Sequence, residues 1–163
     1  RFGEAITMVY QRQFGVSTRI ARIFNTYGPR MQEDDGRVVV DFIVQAINGQ
    51  PFTVHGSGEQ TRSFCYVSDM VEGLVKLMFT DKLMGEVVNL GNADERSVNE
   101  LMDVVAEKFK VEKQVKRLPL PEDDPARRQP DITKARELLS WEPKVGLNEG
   151  LDKTIEYFRG VIG

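Results

Sequence analysis

A helical spacing of apolar residues that ends at one glycine and passes at once into a β-branched run admits few folds. Phe2, Ala5, Ile6, Val9 and Phe14 fall near one face of a helix predicted over residues 1–14, and Gly15 is free to take the positive φ that closes it. Val16, Thr18, Ile20, Ile23 and Phe24 then predict a strand over 16–24. A helix running straight into a buried-type strand is the unit of an α/β fold. The 163 residues, 40% hydrophobic and 29% charged, suffice for one domain with its own core, so a single unit over 1–163 is expected.

The two periods keep alternating downstream. A polar turn over 25–30 ends the strand, an acidic stretch over 31–36 follows, and Phe42, Ile43, Ala46 and Ile47 mark the buried stripe of a helix over 38–48. A strand over 52–54 precedes a glycine turn, and a helix over 70–79 follows, capped by Ser68 and Asp69, with Val71, Leu74, Val75 and Met78 on one face and its methionines as core filler. Val87 to Leu90 reads as a buried strand, and Ser97 with Glu100 forms a capping box for a helix over 98–109. A strand over 115–118 leads into 119–130, where four of the seven prolines exclude a regular helix. Helices over 133–139 and 148–159, joined by Trp141-Glu142-Pro143, finish the chain.

Charge and composition narrow the functions. A net charge of −3 argues against a nucleic-acid partner, because phosphate neutralisation needs a basic face. The single Cys65 allows no intramolecular disulfide, and one cysteine with one histidine, His55, is a poor start for a zinc site, so no metal is expected. With no apolar run of membrane-spanning length and no signal pattern, a cytoplasmic protein without membrane contact is expected. The sequence starts at Arg1 in mid-helix, which reads as a piece of a longer polypeptide.

The most site-like stretch runs from Gly56 to Asp69, where a two-glycine turn is followed by a short strand carrying Arg62. Fixed positive charge beside free backbone amides suits an anion. Asn25 and Thr26 sit at the carboxyl end of a strand, where ligands of open α/β sheets bind. Together with Arg37 and with Arg127 and Arg128 they make either a diphosphate clamp or a solvated surface, depending on whether the fold gathers them. Ser-His-Asp chemistry would have to run through His55, whose place beside a glycine turn favours a structural role. Gly56-Ser57-Gly58 lacks the third glycine and the helix of a dinucleotide fingerprint.

Five ordered motifs carry a resemblance across the chain: Arg22 to Met31 (RIFNTYGPRM), Asp35 to Val39 (DGRVV), Gly56 to Asp69, Asn89 to Asn92 (NLGN) and Asp123 to Ile132 (DDPARRQPDI). They resemble the extended short-chain dehydrogenases that act on nucleotide sugars, and among these the UDP-glucuronate decarboxylases. The related dTDP-glucose dehydratases and UDP-sugar epimerases share the Gly56 to Asp69 stretch. The resemblance implies the C-terminal portion of that fold, the last strands of a Rossmann sheet plus a small α/β substrate-binding domain. It implies oxidation of C4 of UDP-glucuronate by NAD, loss of CO2 and return of hydride to give UDP-xylose, in a homodimer. Carried over, Arg62 meets the UDP diphosphate, Arg128 lies at sugar and phosphate, Asp131 near the ribose, and Asn25 lines the sugar end. Thr26 and Arg37 reach the cofactor, Arg37 also the substrate, and Tyr10 and Gln13 line the site or a dimer interface. The family's Tyr-x-x-x-Lys pair and glycine-rich NAD loop would precede Arg1, leaving no catalytic residue in this chain. An N-terminal anchor giving a Golgi-lumenal location would also lie there. The other readings are another NAD-dependent nucleotide-sugar dehydratase or epimerase, or a non-catalytic nucleotide-sugar-binding domain.

Overall fold

The computed structural model describes residues 2–122 and 124–162. The expected helix start at Arg1 and the Asp123 of the last motif lie outside the described residues. In chain order the elements are α1 (Phe2–Phe14), β1 (Ile20–Ile23), β2 (Thr26–Tyr27), α2 (Val38–Ile47), β3 (Phe52–His55), β4 (Thr61–Ser63), β5 (Cys65–Tyr66), α3 (Val67–Phe79), β6 (Val87–Leu90), β7 (Glu95–Ser97), α4 (Val98–Phe109), β8 (Val115–Leu118), β9 (Arg127–Arg128), α5 (Thr133–Leu139) and α6 (Leu147–Ile162). Among the described residues no helix is long and apolar enough to cross a membrane.

Among the described residues the strands form four small sheets. β1 pairs with β6, β2 with β5 and β3 with β8, all parallel, while β4 sits between antiparallel β7 and parallel β9. Parallel pairs need crossovers, and helices supply them. The larger core joins α2, α4 and α6 over β3 through Phe42, Val54, Leu101, Leu151 and Phe158, all fully buried. Phe42 and Phe52 meet edge to face with centroids 5.4 Å apart. A second cluster gathers Met70 and Leu77 of α3, Val88 and Leu90 of β6, Leu139 of α5 and the buried Trp141. Asp69 stitches this cluster to the approach to α6: its carboxylate accepts from the Lys144 and Val145 amides at 3.0 and 2.9 Å, and its backbone oxygen accepts from the Trp141 indole at 2.9 Å.

Several expectations are corrected. The first strand is only Ile20–Ile23, because its length is set by its partner: Ile20 pairs with Val87 and Ile23 with Leu90, and β6 extends no further. The polar turn after it contains β2, whose Tyr27 is buried and registers with Tyr66. Ser68 and Asp69 do not cap α3, which begins at Val67 and places both in its first turn. Of the expected α3 stripe only Leu74 packs against the second cluster. Met70, Gly73 and Leu77 are buried, whereas Val71, Val75 and Met78 are exposed, so Met78 is not core filler. The last helix runs from Leu147 to Ile162 rather than 148–159. The capping box holds: Ser97 Oγ accepts from the Glu100 amide at 3.0 Å and the Glu100 carboxylate accepts from the Ser97 amide at 2.7 Å.

Candidate functional site

Four of the polar residues singled out in the sequence meet in one cleft of about 320 Å³. Asn25 reaches it from just beyond the carboxyl end of β1, Thr26 from β2, Arg37 from the start of α2, and Arg62 from β4. That volume lies at the lower end of the range for small-molecule sites. Arg62 is 8% exposed, which gives the cleft a desolvated cation. Its Nη1 donates to Thr61 O at 2.7 Å and its Nη2 to the Asp124 carboxylate. Arg37 is more open and pairs with Asp35 at 3.0 Å.

The glycine turn has a different job from the one its sequence suggests. Gly56 and Gly58 take φ of 63° and 80°, which lets the chain turn from β3 toward β4. The Gly56 amide donates to Leu118 O at 2.8 Å and the Glu59 amide to Ser57 Oγ at 3.3 Å, so neither is free for a ligand. Arg117 Nη1 donates to Gly56 O and Ser57 O at 3.0 and 2.7 Å, pinning the turn outside the cleft. Of this stretch, it is the Arg62 side chain that brings a cation to the cleft.

The fold adds residues that sequence reading passed over, Thr53 and Asp41 among them, and brings in His55, for which that reading favoured a structural role. Thr53 and His55 of β3 alternate with buried Phe52 and Val54, and this alternation turns both toward the cleft. His55 Nδ1 donates to Pro119 O at 3.1 Å, and Gln60 Nε2 donates to His55 O at 2.8 Å. Asp41 faces the cleft from α2; loss of hydration, and then Asp35, push its carboxyl above the ordinary range, while His55 opposes them. Pro121 and Asp124 of the proline-rich strap complete the wall. The period-2 pattern of β3 was the available signal for Thr53 and His55.

Five other expected site residues lie outside this lining, among them Arg127, exposed on β9 and paired with Glu95 at 2.6 Å. Arg128 is exposed on β9, in register with Arg62 on the adjacent strand. Asp131 accepts from the Thr133 amide at 2.9 Å ahead of α5, and that bond holds its carboxyl below the usual range. Tyr10 and Gln13 are exposed on α1, where Tyr10 stacks on Phe14 with centroids 5.2 Å apart. Cys65 is buried, and loss of hydration raises its thiol to about 12, so it is no nucleophile.

Parallel strands crossed over by helices, with a cleft at strand ends that holds a buried arginine, define an α/β unit. The sequence profile of the GDP-mannose 4,6 dehydratase family matches residues 1–154, and the chain belongs to that family, with the extended short-chain dehydrogenase fold. UDP-glucuronic acid decarboxylase 6 of Arabidopsis thaliana is 52% identical over 163 residues, 100% of this chain and 47% of that protein. UDP-glucuronic acid decarboxylase 1 of Xenopus tropicalis is 51% identical over 159 residues, 98% of this chain and 37% of that protein. The chain thus spans half or less of the curated relatives it matches. Among solved structures, UDP-glucuronic acid 4-epimerase from Bacillus cereus in complex with UDP-glucuronic acid and NAD superposes with a TM-score of 0.92 at 31% identity, covering 98% of this chain and 50% of that one. UDP-glucose 4-epimerase from Thermotoga maritima with UDP-glucose gives 0.92 at 33% identity, covering 98% and 52%.

Proposed function

We propose that this chain is the nucleotide-sugar-binding part of an NAD-dependent UDP-glucuronate decarboxylase that converts UDP-glucuronate to UDP-xylose and CO2. The observation that carries this reading is the buried Arg62 in a cleft shared with Asn25, Thr26 and Arg37, in a chain 52% identical from end to end to a UDP-glucuronic acid decarboxylase. Arg62 neutralises the diphosphate, where low local dielectric strengthens a charge-assisted contact. Asn25 hydrogen-bonds the sugar from the end of β1. Arg128, one strand from Arg62, and Asp131 approach the phosphate and ribose from the strap side, and Tyr10 and Gln13 of α1 border the site or a homodimer contact.

The donor set fits the nicotinamide end of NAD: the Thr26 hydroxyl, which keeps acceptor capacity while donating to Phe24 O at 2.9 Å, and the Arg37 guanidinium. When bound, NAD supplies hydride acceptance and return at C4. A 4-keto group lies β to the C5 carboxylate, so the C5–carboxylate bond breaks with its electron pair delocalised into an enolate, CO2 leaves and C5 takes up a proton. Most of the cofactor site, and the tyrosine and lysine that handle the C4 hydroxyl proton, belong on this reading to a preceding segment. On this reading the 163-residue chain alone is expected to release no CO2 from UDP-glucuronate with NAD.

Calorimetric titration of UDP tests the site directly. Arg62→Ala is expected to weaken binding by about 2–4 kcal/mol. Arg30→Ala, exposed with a φ of 68° beyond β2, is expected to bind like the parent. Equal affinity for Arg62→Ala and the parent would remove the diphosphate from this cleft.

A further inference from the structure

Arg62, the cation the diphosphate reading depends on, is already held from two sides. One edge of its guanidinium donates to the Thr61 backbone oxygen at 2.7 Å, and the other meets the Asp124 carboxylate. Asp124 belongs to the proline-rich strap between β8 and β9, and the strap is anchored at both ends. β8 pairs with β3 from Phe52↔Val115 to His55↔Leu118, and the Thr61 amide donates to Ala126 O at 2.9 Å just before β9. Between these anchors Pro121 and Asp124 face the cleft.

We propose that Asp124 is an internal stand-in for the ligand's phosphate, paired with Arg62 and displaced from it when a diphosphate binds. The inference rests on the reading of Arg62 as the diphosphate contact. A carboxylate and a phosphate offer a guanidinium the same thing, negatively charged oxygens in its plane. Both cannot stay at one edge of one arginine, because like charges at contact distance repel strongly in a partly desolvated cleft. The two partners are unequal in a way that suits exchange: the Arg62 side chain is 10% exposed and that of Asp124 29%. The cation is fixed and the carboxylate has an exit to water. When Asp124 leaves, the Thr61 oxygen still orients the guanidinium, and Pro119, Pro121 and Pro125 restrict the strap to few backbone states. The strap then works as a latch on the anion end of the cleft.

The opposing possibility is that Asp124 positions Arg62 for the ligand, and the two roles differ in sign. UDP and phosphate-free uridine are titrated into the parent, Asp124→Asn, Asp124→Ala and Arg62→Ala. If Asp124 competes with phosphate, both Asp124 variants bind UDP tighter by roughly 3- to 5-fold, the size of a partly exposed ion pair, and bind uridine like the parent. Unchanged or weaker UDP binding in variants that keep the parent's thermal unfolding midpoint overturns the inference. Tightening of uridine to the same extent overturns it too, since uridine carries no phosphate to compete. The controls separate the two levels: a loss in Arg62→Ala without a gain at Asp124 refutes the latch alone, whereas an Arg62→Ala variant that binds like the parent refutes the site and the latch with it.

Discussion

Helices α6 and α1 both carry apolar stripes, the sharper one on α6, and they end in opposite surroundings. Leu151 and Phe158 of α6 are completely buried against α2 and α4, while α1 buries no residue at all and leaves Phe2 81% and Phe14 60% exposed. An apolar stripe states that a helix needs cover; it does not say which element provides it. α6 is covered from within the chain. α1 is tied to the rest by polar contacts: Glu4 accepts from Arg22 Nε and Nη2 at 2.7 Å each, and Thr18 donates to Gln11 at 3.0 Å.

The largest expected effect tests that contrast head on. Phe158→Ala empties a site in the main core and is expected to lower stability by about 3–5 kcal/mol in urea denaturation. Phe14→Ala removes a ring that faces water, and its expected cost stays within about 0.5 kcal/mol. A cost for Phe14→Ala near that of Phe158→Ala would mean that the α1 face is covered in solution and that the two helices are alike after all.

A smaller effect belongs to the second cluster, whose connection to α6 is polar. Asp69→Ala leaves the Lys144 and Val145 amides without their acceptor in a part-buried place. The expected loss is about 2–3 kcal/mol by the same measurement. A loss under about 0.5 kcal/mol would show that water replaces the carboxylate there and that the two clusters are held together by packing alone.

What could be read from the sequence follows the same division between local and distant causes. The α4 boundaries, Val98–Phe109, agree with the Ser97 and Glu100 box because a cap is made within four residues. β2, β7 and β9 have two or three residues each, too few for a period, and exist only because a partner from elsewhere lies alongside. The buried side of α3, which shares only Leu74 with the expected stripe, has a distant cause. Gly73 opens room for Trp141, since a Cβ there would lie 2.9 Å from Trp141 Cε2, and a residue 68 positions away decides which side is the core. In the cleft, Asn25, Thr26, Arg37 and Arg62 were legible by residue type and motif. Asp41 was hidden in an apolar helical stripe, and the contact of Asp124 with Arg62 spans 62 residues.

The smallest expected effect separates rim from cleft by pH. On the β4 sheet, Glu95 accepts from Arg127 Nε at 2.9 Å and Nη2 at 2.6 Å and from the Thr61 hydroxyl at 2.6 Å. These bonds, the Arg127 ones first, hold its carboxyl below the ordinary glutamate value of 4.5. A lowered folded-state value means that the unfolded chain takes up the proton first. The contribution is therefore fully present above 4.5 and is lost as pH falls through the lower folded value. Glu95→Gln should lower the thermal midpoint slightly at pH 7, with the gap closing on acidification. Asp41 carries the opposite sign, because its raised carboxyl is penalised when ionised. Asp41→Asn should raise the midpoint at neutral pH, and that gain should shrink as the parent's carboxyl protonates. If both gaps stayed constant from pH 7 to about 3, neither group would be titrating differently in the folded and unfolded chains, and the electrostatic contrast between rim and cleft would be lost.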